Sequence, residues 1–375
     1  MAVIRVGLIG LSGASSDDYE GTSWAAGAHL PFLTASPSFQ IVALLNSSAE
    51  SAQAAIRKYD LPAETKAYGD PTELALDPDV DLVLCCVRVD RHLLTVRPSL
   101  VAGKAVYVEW PLDRNLDVAK EMASLAIKHH AKTVVGLQSS FNPVIRKMRS
   151  LVQGNAIGRV LSSSFIGAAG NQLQAESKNV RYFLDRSVGG SMMSIHAGHT
   201  LETVISVLGP FQTFDSSLTI SRPELDIVNL STGEVLESGV RNTVPDQILM
   251  FGTSERSSAA VTVKIHAGEE FPGQPRLDWR IQGTRGWLRL TSPALFINVG
   301  GPEVKVELFR TDTGQVEEIE PDKDEWETLP IPAQNIARLL EAYRQNEWYP
   351  TFDWAVQRHD ILDGMWRKFD LENAK

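Results

Sequence analysis

Val80-Asp-Leu-Val-Leu-Cys-Cys-Val87 carries one polar residue in eight. An amphipathic strand would alternate. A run without alternation is a strand buried on both faces, as in a parallel sheet covered by helices. Similar runs flank it at Val3–Ile9 (closed by Gly10), Phe39–Leu45, Ala105–Glu109 and Thr133–Leu137. Helical patterns separate them at Trp24–Leu33, Glu50–Tyr59, His92–Ala102 and Leu116–His129. Alternating strand and helix with right-handed crossovers predicts an α/β domain, a Rossmann-like doubly wound parallel sheet, over residues 1–138.

After Gln138 the period changes. Asn142-Pro143 is a helix start, with Asn as cap and Pro in the first turn, and that helix should run to about Gln153. Apolar–polar alternation then recurs at Arg159–Phe165, Phe211–Ile220, Gln247–Gly252, Ser258–His266, Asp278–Gln282, Trp287–Thr291 and Val304–Phe309. This predicts an α+β domain over 139–375 with an open, mainly antiparallel sheet buried on one face. A helix at His199–Leu208 interrupts the strands. Two helices close the chain, at Pro332–Gln345 and Trp354–Phe369, and the last is expected to pack back on the first domain.

The 375 residues include 36 Lys+Arg and 46 Asp+Glu, a net charge of −10. Such a field repels a phosphate backbone, so no nucleic-acid partner is expected. Cys85 and Cys86, the two cysteines, are adjacent in an apolar run, which excludes a disulfide framework and fits a reducing compartment. No apolar run reaches the ~18 residues of a membrane span, and the opening ten residues lack the organisation of a signal peptide. The expectation is a cytoplasmic protein without a membrane partner.

A strand, a glycine and a helix mark the place for a dinucleotide fingerprint. Here Gly10-Leu-Ser-Gly13 puts Ser12 where the second glycine belongs, and thirteen residues separate Gly10 from Trp24. That loop carries Asp17, Asp18 and Glu20, which oppose a pyrophosphate unless they face solvent. The second strand ends in Leu45-Asn-Ser-Ser48, without the acid that would hold ribose hydroxyls. Asn46 and Ser47 tolerate a 2′-phosphate, so NADP is favoured over NAD where either binds.

Several short segments, in this order, resemble the glucose–fructose oxidoreductase/inositol dehydrogenase/MocA family over nearly the whole chain. They are Ser23-Trp24-Ala25, Val108-Glu-Trp-Pro-Leu112, Gly189-Gly-Ser-Met-Met-Ser-Ile-His-Ala-Gly-His199, Gly198-His-Thr200 and Thr243-Val-Pro-Asp246. The nearer likeness is to the fungal galactose-regulon repressor branch. The resemblance implies a lysine at the end of the fourth predicted strand and an aspartate four residues before a catalytic histidine. The histidine is present as His199, but Trp110 stands in the lysine's place and Ile195 in the aspartate's. Neither replacement titrates near neutral pH, and losing a positioned acid or base typically costs ~10²–10⁴ in rate.

The resemblance implies a pocket with Glu109, His199, His196 and Trp110 as its reacting or lining groups, and Tyr182, Arg181 and Glu202 on the substrate side; Gln172 lies in a long polar loop after Arg159–Gly167, of the kind that often covers a substrate. Gly10, Ser12, Gly13, Trp24, Asn46, Ser47, Arg88 and His92 would line the cofactor cleft. His196-x-x-His199-x-x-Glu202 also has the spacing of a helical metal face, but a further ligand is not evident and no metal is expected. Three readings stand. The first is a non-redox proton-transfer enzyme, such as a double-bond isomerase acting on a small apolar carbonyl or enone metabolite of fungal secondary metabolism. The second is an NADP-dependent reductase of a small molecule. The third is a repressor-like binding protein. The resemblance also implies a homo-oligomer, a dimer or tetramer, formed through the outer face of the open sheet.

Overall fold

The computed structural model describes residues 3–13, 23–170, 174–296 and 303–374. Two compact units divide the chain. The first comprises Met1–Leu137, Ser187–Gly190 and Trp326–Asp360, the second Gln138–Arg186, Ser191–Glu325 and Ile361–Lys375.

The first unit holds β1 (Ile4–Ile9), α1 (Leu30–Ala35), β2 (Phe39–Leu45), α2 (Ala49–Lys58), β3 (Lys66–Tyr68), α3 (Pro71–Leu76), β4 (Leu82–Cys85), α4 (His92–Val101), β5 (Ala105–Glu109), α5 (Leu116–Lys128) and β6 (Thr133–Gly136). The sheet order is β3-β2-β1-β4-β5-β6, every pair parallel. That is the Rossmann order. The apolar runs account for it: Leu8, Leu44, Leu82, Val83, Val106 and Val134 have no solvent contact. Helix starts are fixed locally. Ser48 caps α2 through the Ser51 N–H, and Asn115 caps α5 through the Val118 N–H.

β3 and α3 escape the sequence pattern, because three half-buried residues leave no period to detect. The helix expected over Trp24–Leu33 is two pieces: a π-helical turn, Ala25–His29, followed by α1 with Pro31 in its first turn.

The second unit holds α6 (Pro143–Gln153), β7 (Val160–Ala169), β8 (Ala175–Ser177), α7 (Ala197–Leu208), β9 (Phe211–Thr219), β10 (Glu224–Val228), β11 (Val235–Arg241), β12 (Gln247–Ser254), β13 (Ala260–Ala267), β14 (Leu277–Gly283), β15 (Gly286–Ser292), β16 (Lys305–Arg310) and β17 (Gln315–Glu318). Eight strands form the open sheet β17-β16-β15-β14-β7-β13-β12-β9. All its pairs are antiparallel except β7 with β13. Along β13, Val261, Val263 and Ile265 are buried while Thr262 and Lys264 are exposed, the predicted period of two. β14 and β7 are pinned by the buried Trp279, whose indole N–H donates to Ser163 Oγ at 2.9 Å. β8, β10 and β11 make a separate three-stranded sheet that the pattern does not announce, since β11 is almost wholly exposed.

α8 (Ile331–Gln345) belongs to the first unit, and Trp326 packs its ring on Phe32 there at 5.4 Å. α9 (Phe352–Asn373) is longer than expected, and its residues are shared between the units at Asp360/Ile361. Among the described residues, no helix is long and apolar enough to cross a membrane.

Candidate functional site

In an open parallel sheet, ligands sit beyond the carboxyl ends of the strands. Gly10 leaves β1 with φ +93°, and a Cβ there would stand 2.4 Å from the Cys86 carbonyl oxygen, so only glycine makes this turn. Gly13 is likewise confined: a Cβ would meet Ala55 N of α2 at 2.9 Å. Ser12 lends its carbonyl to the Tyr59 hydroxyl (3.1 Å). Asn46 donates to Leu11 O at 2.8 Å and so braces the loop, while Ser47 is exposed. Trp24 is half-buried at the head of the π-helical turn. Asp17, Asp18 and Glu20 lie outside the described residues.

The turn and the neutral residues at the end of β2 fit a nicotinamide dinucleotide. Gly10 and Gly13 occupy positions that no side chain could take, and no carboxylate stands at the end of β2. Two residues expected at the cofactor cleft have partners within the chain. Both ring nitrogens of His92 face main-chain carbonyls, Leu112 O at 3.1 Å and Val87 O at 3.0 Å, so this ring ties together the segments that follow β5 and β4. Arg88 holds Asp90 through two hydrogen bonds, at 2.7 and 2.9 Å.

Glu109 ends β5, and its carboxyl is buried. It turns inward. His29 Nε2 lies 2.5 Å from Glu109 Oε1, and the Tyr107 hydroxyl donates to the same oxygen at 3.0 Å. His29 and Tyr107 are fully buried and Glu109 is 9% exposed. Gly136 on the neighbouring β6 makes the room, since a Cβ there would lie 2.4 Å from Glu109 Oε2. Burial, then the Glu109 charge, push the Tyr107 hydroxyl well above its usual range.

Cys86 joins this group: its sulfur and ligand atoms of His29 and Glu109 lie within 4.8 Å of one another. Burial pushes the Cys86 thiol well up, and the neighbouring Cys85 to about 12, so both stay protonated and weakly nucleophilic. The sequence reading missed His29. A signal was present: Ala25, Ala28, His29 and Phe32 form one buried stripe at helical spacing. Trp110, 4% exposed, packs on the buried His359 with ring centroids 4.7 Å apart. Burial, then the neighbouring His92, push His359 down to about 3.

In the second unit a π-helical turn, Met192–His196, leads into α7, started by a capping box between Ser191 and Ser194. His196 and His199 meet one aromatic ring, that of Phe296, at centroid distances of 5.0 and 5.5 Å. Burial, then His199, push His196 down to about 4, which leaves it a neutral imidazole at physiological pH. Glu202 is fully buried on α7.

His196 also borders a cavity of about 250 Å³. Glu176 of β8 stands at its edge, and Phe183, Met192 and Val244 form apolar wall. The Val244-Pro-Asp246 stretch has a structural reason to be there. Asp246 accepts from the main-chain N–H groups of Ser221 and Arg222 at 2.8 and 2.9 Å, and from Arg222 Nε at 3.0 Å. Burial raises the Glu176 carboxyl above its ordinary range, partly offset by the Ser177 N–H and Arg222.

Two residues expected on the substrate side have these neighbours. Arg181 is exposed and bound to Glu237 at 2.8 and 2.9 Å, and Tyr182 packs on Phe183, which itself lines the cavity. Gln172 lies outside the described residues. Glu176 and Arg222 were not anticipated. They come from a short strand and a loop without any apolar period.

Comparison with known proteins fits both units. Residues 4–137 match the family model described as the oxidoreductase family, NAD-binding Rossmann fold, and residues 143–292 that described as the C-terminal domain of Gal80p. Dehydrogenase aclE of Aspergillus oryzae is 30% identical over 365 residues, covering 97% of this chain and 95% of that protein. A solved structure of a super-repressor mutant of Gal80p from Saccharomyces cerevisiae superposes with a TM-score of 0.87 at 23% identity, covering 99% of this chain and 97% of the other. Levoglucosan dehydrogenase in complex with NADH and L-sorbose gives a TM-score of 0.75 at 18% identity, covering 98% and 96%. The chain belongs to the glucose–fructose oxidoreductase/inositol dehydrogenase/MocA family, in the branch that carries a Gal80p-like second domain.

Proposed function

We propose that this chain is a small-molecule enzyme of the oxidoreductase family whose own residues perform proton transfer, such as double-bond isomerisation of a small apolar carbonyl or enone of fungal secondary metabolism. One observation carries the reading. His196 and His199 pack on a single aromatic ring, while the positions where the family holds its lysine and aspartate are Trp110, stacked on His359, and Ile195. Without those groups no lysine or aspartate relays the proton that accompanies hydride transfer. Imidazole is the side chain best matched to proton transfer near pH 7. In a β,γ-enone, His199 removes the α-proton, the electron pair passes into a dienolate, and the proton returns at the γ-carbon to give the conjugated isomer. His196, kept neutral, orients its neighbour. Glu109 supports the scaffold through His29 and Tyr107.

A nicotinamide dinucleotide would be held by Gly10, Ser12, Gly13, Asn46 and Ser47, with Trp24 at the loop's end. When bound it supplies a hydride donor or acceptor. The absence of a carboxylate at Asn46 and Ser47 favours NADP. The Gal80p-like second domain supports an alternative regulatory role. The protein is proposed to be cytoplasmic and to work as a homo-oligomer through the outer sheet face, where Ile166, Leu249, Phe251 and Trp287 stay between 37% and 48% exposed. Neither a nucleic acid nor a membrane is proposed as partner.

The test is cyclohex-3-enone incubated with the protein in D₂O without cofactor, followed by NMR. The reading expects deuterium at the exchanged carbons and conjugated product, with His199→Ala slower by at least ~10²-fold. NADPH consumed in step with a reduced product, with no exchange in its absence, overturns it.

A further inference from the structure

The cavity in the second unit has features that packing alone does not explain. Its volume of about 250 Å³ is roughly eight water molecules' worth of liquid, at ~30 Å³ each. Much of its wall is apolar, from Phe183, Met192, Val244 and Ala267. Glu176 is half-buried at its edge. One carboxyl oxygen accepts from the Ser177 N–H at 2.8 Å. Among the described residues its other oxygen has no hydrogen-bond partner. His196, which also lines the cavity, has a buried Nδ1 without a hydrogen-bond partner. Buried polar groups in native proteins are nearly always satisfied, so the His196 nitrogen beside this cavity calls for a missing partner.

The charge balance narrows that partner. Arg222 and Asp246 form an ion pair at 3.0 Å, their side chains 14% and 3% exposed. Arg222, the cation of the wall, is already matched by Asp246, so an anionic ligand would bring a charge that the cavity leaves uncompensated. An uncharged ligand avoids that cost. A ketone oxygen has two lone pairs and no proton, so it matches a carboxyl group that donates.

We propose that this cavity binds the substrate, an uncharged, mostly apolar carbonyl compound, with Glu176 as hydrogen-bond partner of its carbonyl oxygen and Phe183, Met192 and Val244 as apolar wall. The proposal rests on the proton-transfer reading for the chemical class of the ligand. It adds a recognition residue, Glu176, to that reading. Apolar surround favours the protonated carboxyl over the carboxylate, which is the direction in which burial moves Glu176.

The experiment titrates the full chain with cyclohex-2-enone by ligand-observed NMR. Cyclohex-1-ene-1-carboxylate serves as the charged control and 1-methylcyclohexene as the control without oxygen. Glu176→Leu should weaken cyclohex-2-enone at least ~10-fold, the loss of one buried hydrogen bond, while Glu176→Gln, which keeps a donor, stays within ~3-fold of the parent. Ala267→Leu fills the cavity from a strand and should weaken the enone at least ~10-fold too, with circular dichroism confirming that each variant is folded. The carboxylate and the hydrocarbon should both bind more weakly than the enone. The assignment is overturned if the parent protein does not bind the enone, if the carboxylate binds more tightly, or if Glu176→Leu and Ala267→Leu keep the parent affinity. Deuterium exchange separates the two claims. Binding with these variant effects but no exchange removes the proton-transfer reading and leaves the cavity assignment standing. Exchange that both variants leave intact removes the cavity assignment alone.

Discussion

Glu109 shows how a residue's type and its place can point to different jobs. A carboxyl at the end of a buried strand was a reasonable candidate acid. In the fold it faces His29 and Tyr107 inside the first unit, so its removal strands two buried polar groups. Glu109→Ala should lower the unfolding free energy by about 3 kcal/mol, read by urea denaturation, while deuterium exchange into the enone stays within ~10-fold of the parent. A loss of exchange without a loss of stability would return Glu109 to the reacting groups. Gly136→Ala probes the same cluster by crowding it. Its methyl would meet Glu109 Oε2 at 2.4 Å, and overpacking of this kind costs about 1–3 kcal/mol. Urea midpoints unchanged from the parent would show that the carboxyl has room to move. The sequence disclosed Glu109, Trp110, His196 and His199 because they sit in recognisable segments. It hid Glu176 and Arg222, whose role depends on a chain crossing between β8 and the loop before β10 that no local period encodes.

At the scale of elements, the legible parts were those that repeat a period long enough to detect. Phe39–Leu45 and Ala105–Glu109 are strands with the bounds read from the sequence, because each is an unbroken apolar or β-branched run. β3, β8 and β17 have three or four residues and no buried position, so pairing partners create them rather than their own composition. Caps were legible for a different reason: they are local chemistry. Asn142 accepts from the Val144 N–H at 2.9 Å to start α6. Asn142→Ala should cost about 1 kcal/mol, measured as a shift of the urea midpoint with unchanged slope. A change below ~0.3 kcal/mol would mean that Pro143 alone sets the helix start.

For the whole molecule, the account makes acid the weak side of stability. His359 is buried, and its folded value falls to about 3. The unfolded chain takes up that proton near pH 6.5, whereas the folded one declines it until about pH 3. His359 therefore contributes in full above pH 6.5, and stability falls as pH drops from 6.5 toward 3. His196, lowered to about 4, adds in the same direction over 6.5 to 4, discounted because the residue as a whole is half-buried. The neighbouring charges act in the same sense: His92 lowers His359 and His199 lowers His196. Melting temperatures should fall steadily below pH 6.5, and His359→Gln should flatten that limb. A flat profile from pH 7 to 4.5 in the parent would contradict the burial argument.

The central claim is that a hydride-transfer scaffold here runs on imidazole proton transfer. Its most direct test is the fate of cyclohex-3-enone in D₂O, monitored by NMR with and without NADPH. The account predicts deuterium incorporation and conjugated enone at equal rates in both samples, with no NADPH consumed. Reduction of the ketone or alkene that consumes NADPH one for one, and an inert sample without it, would contradict the account.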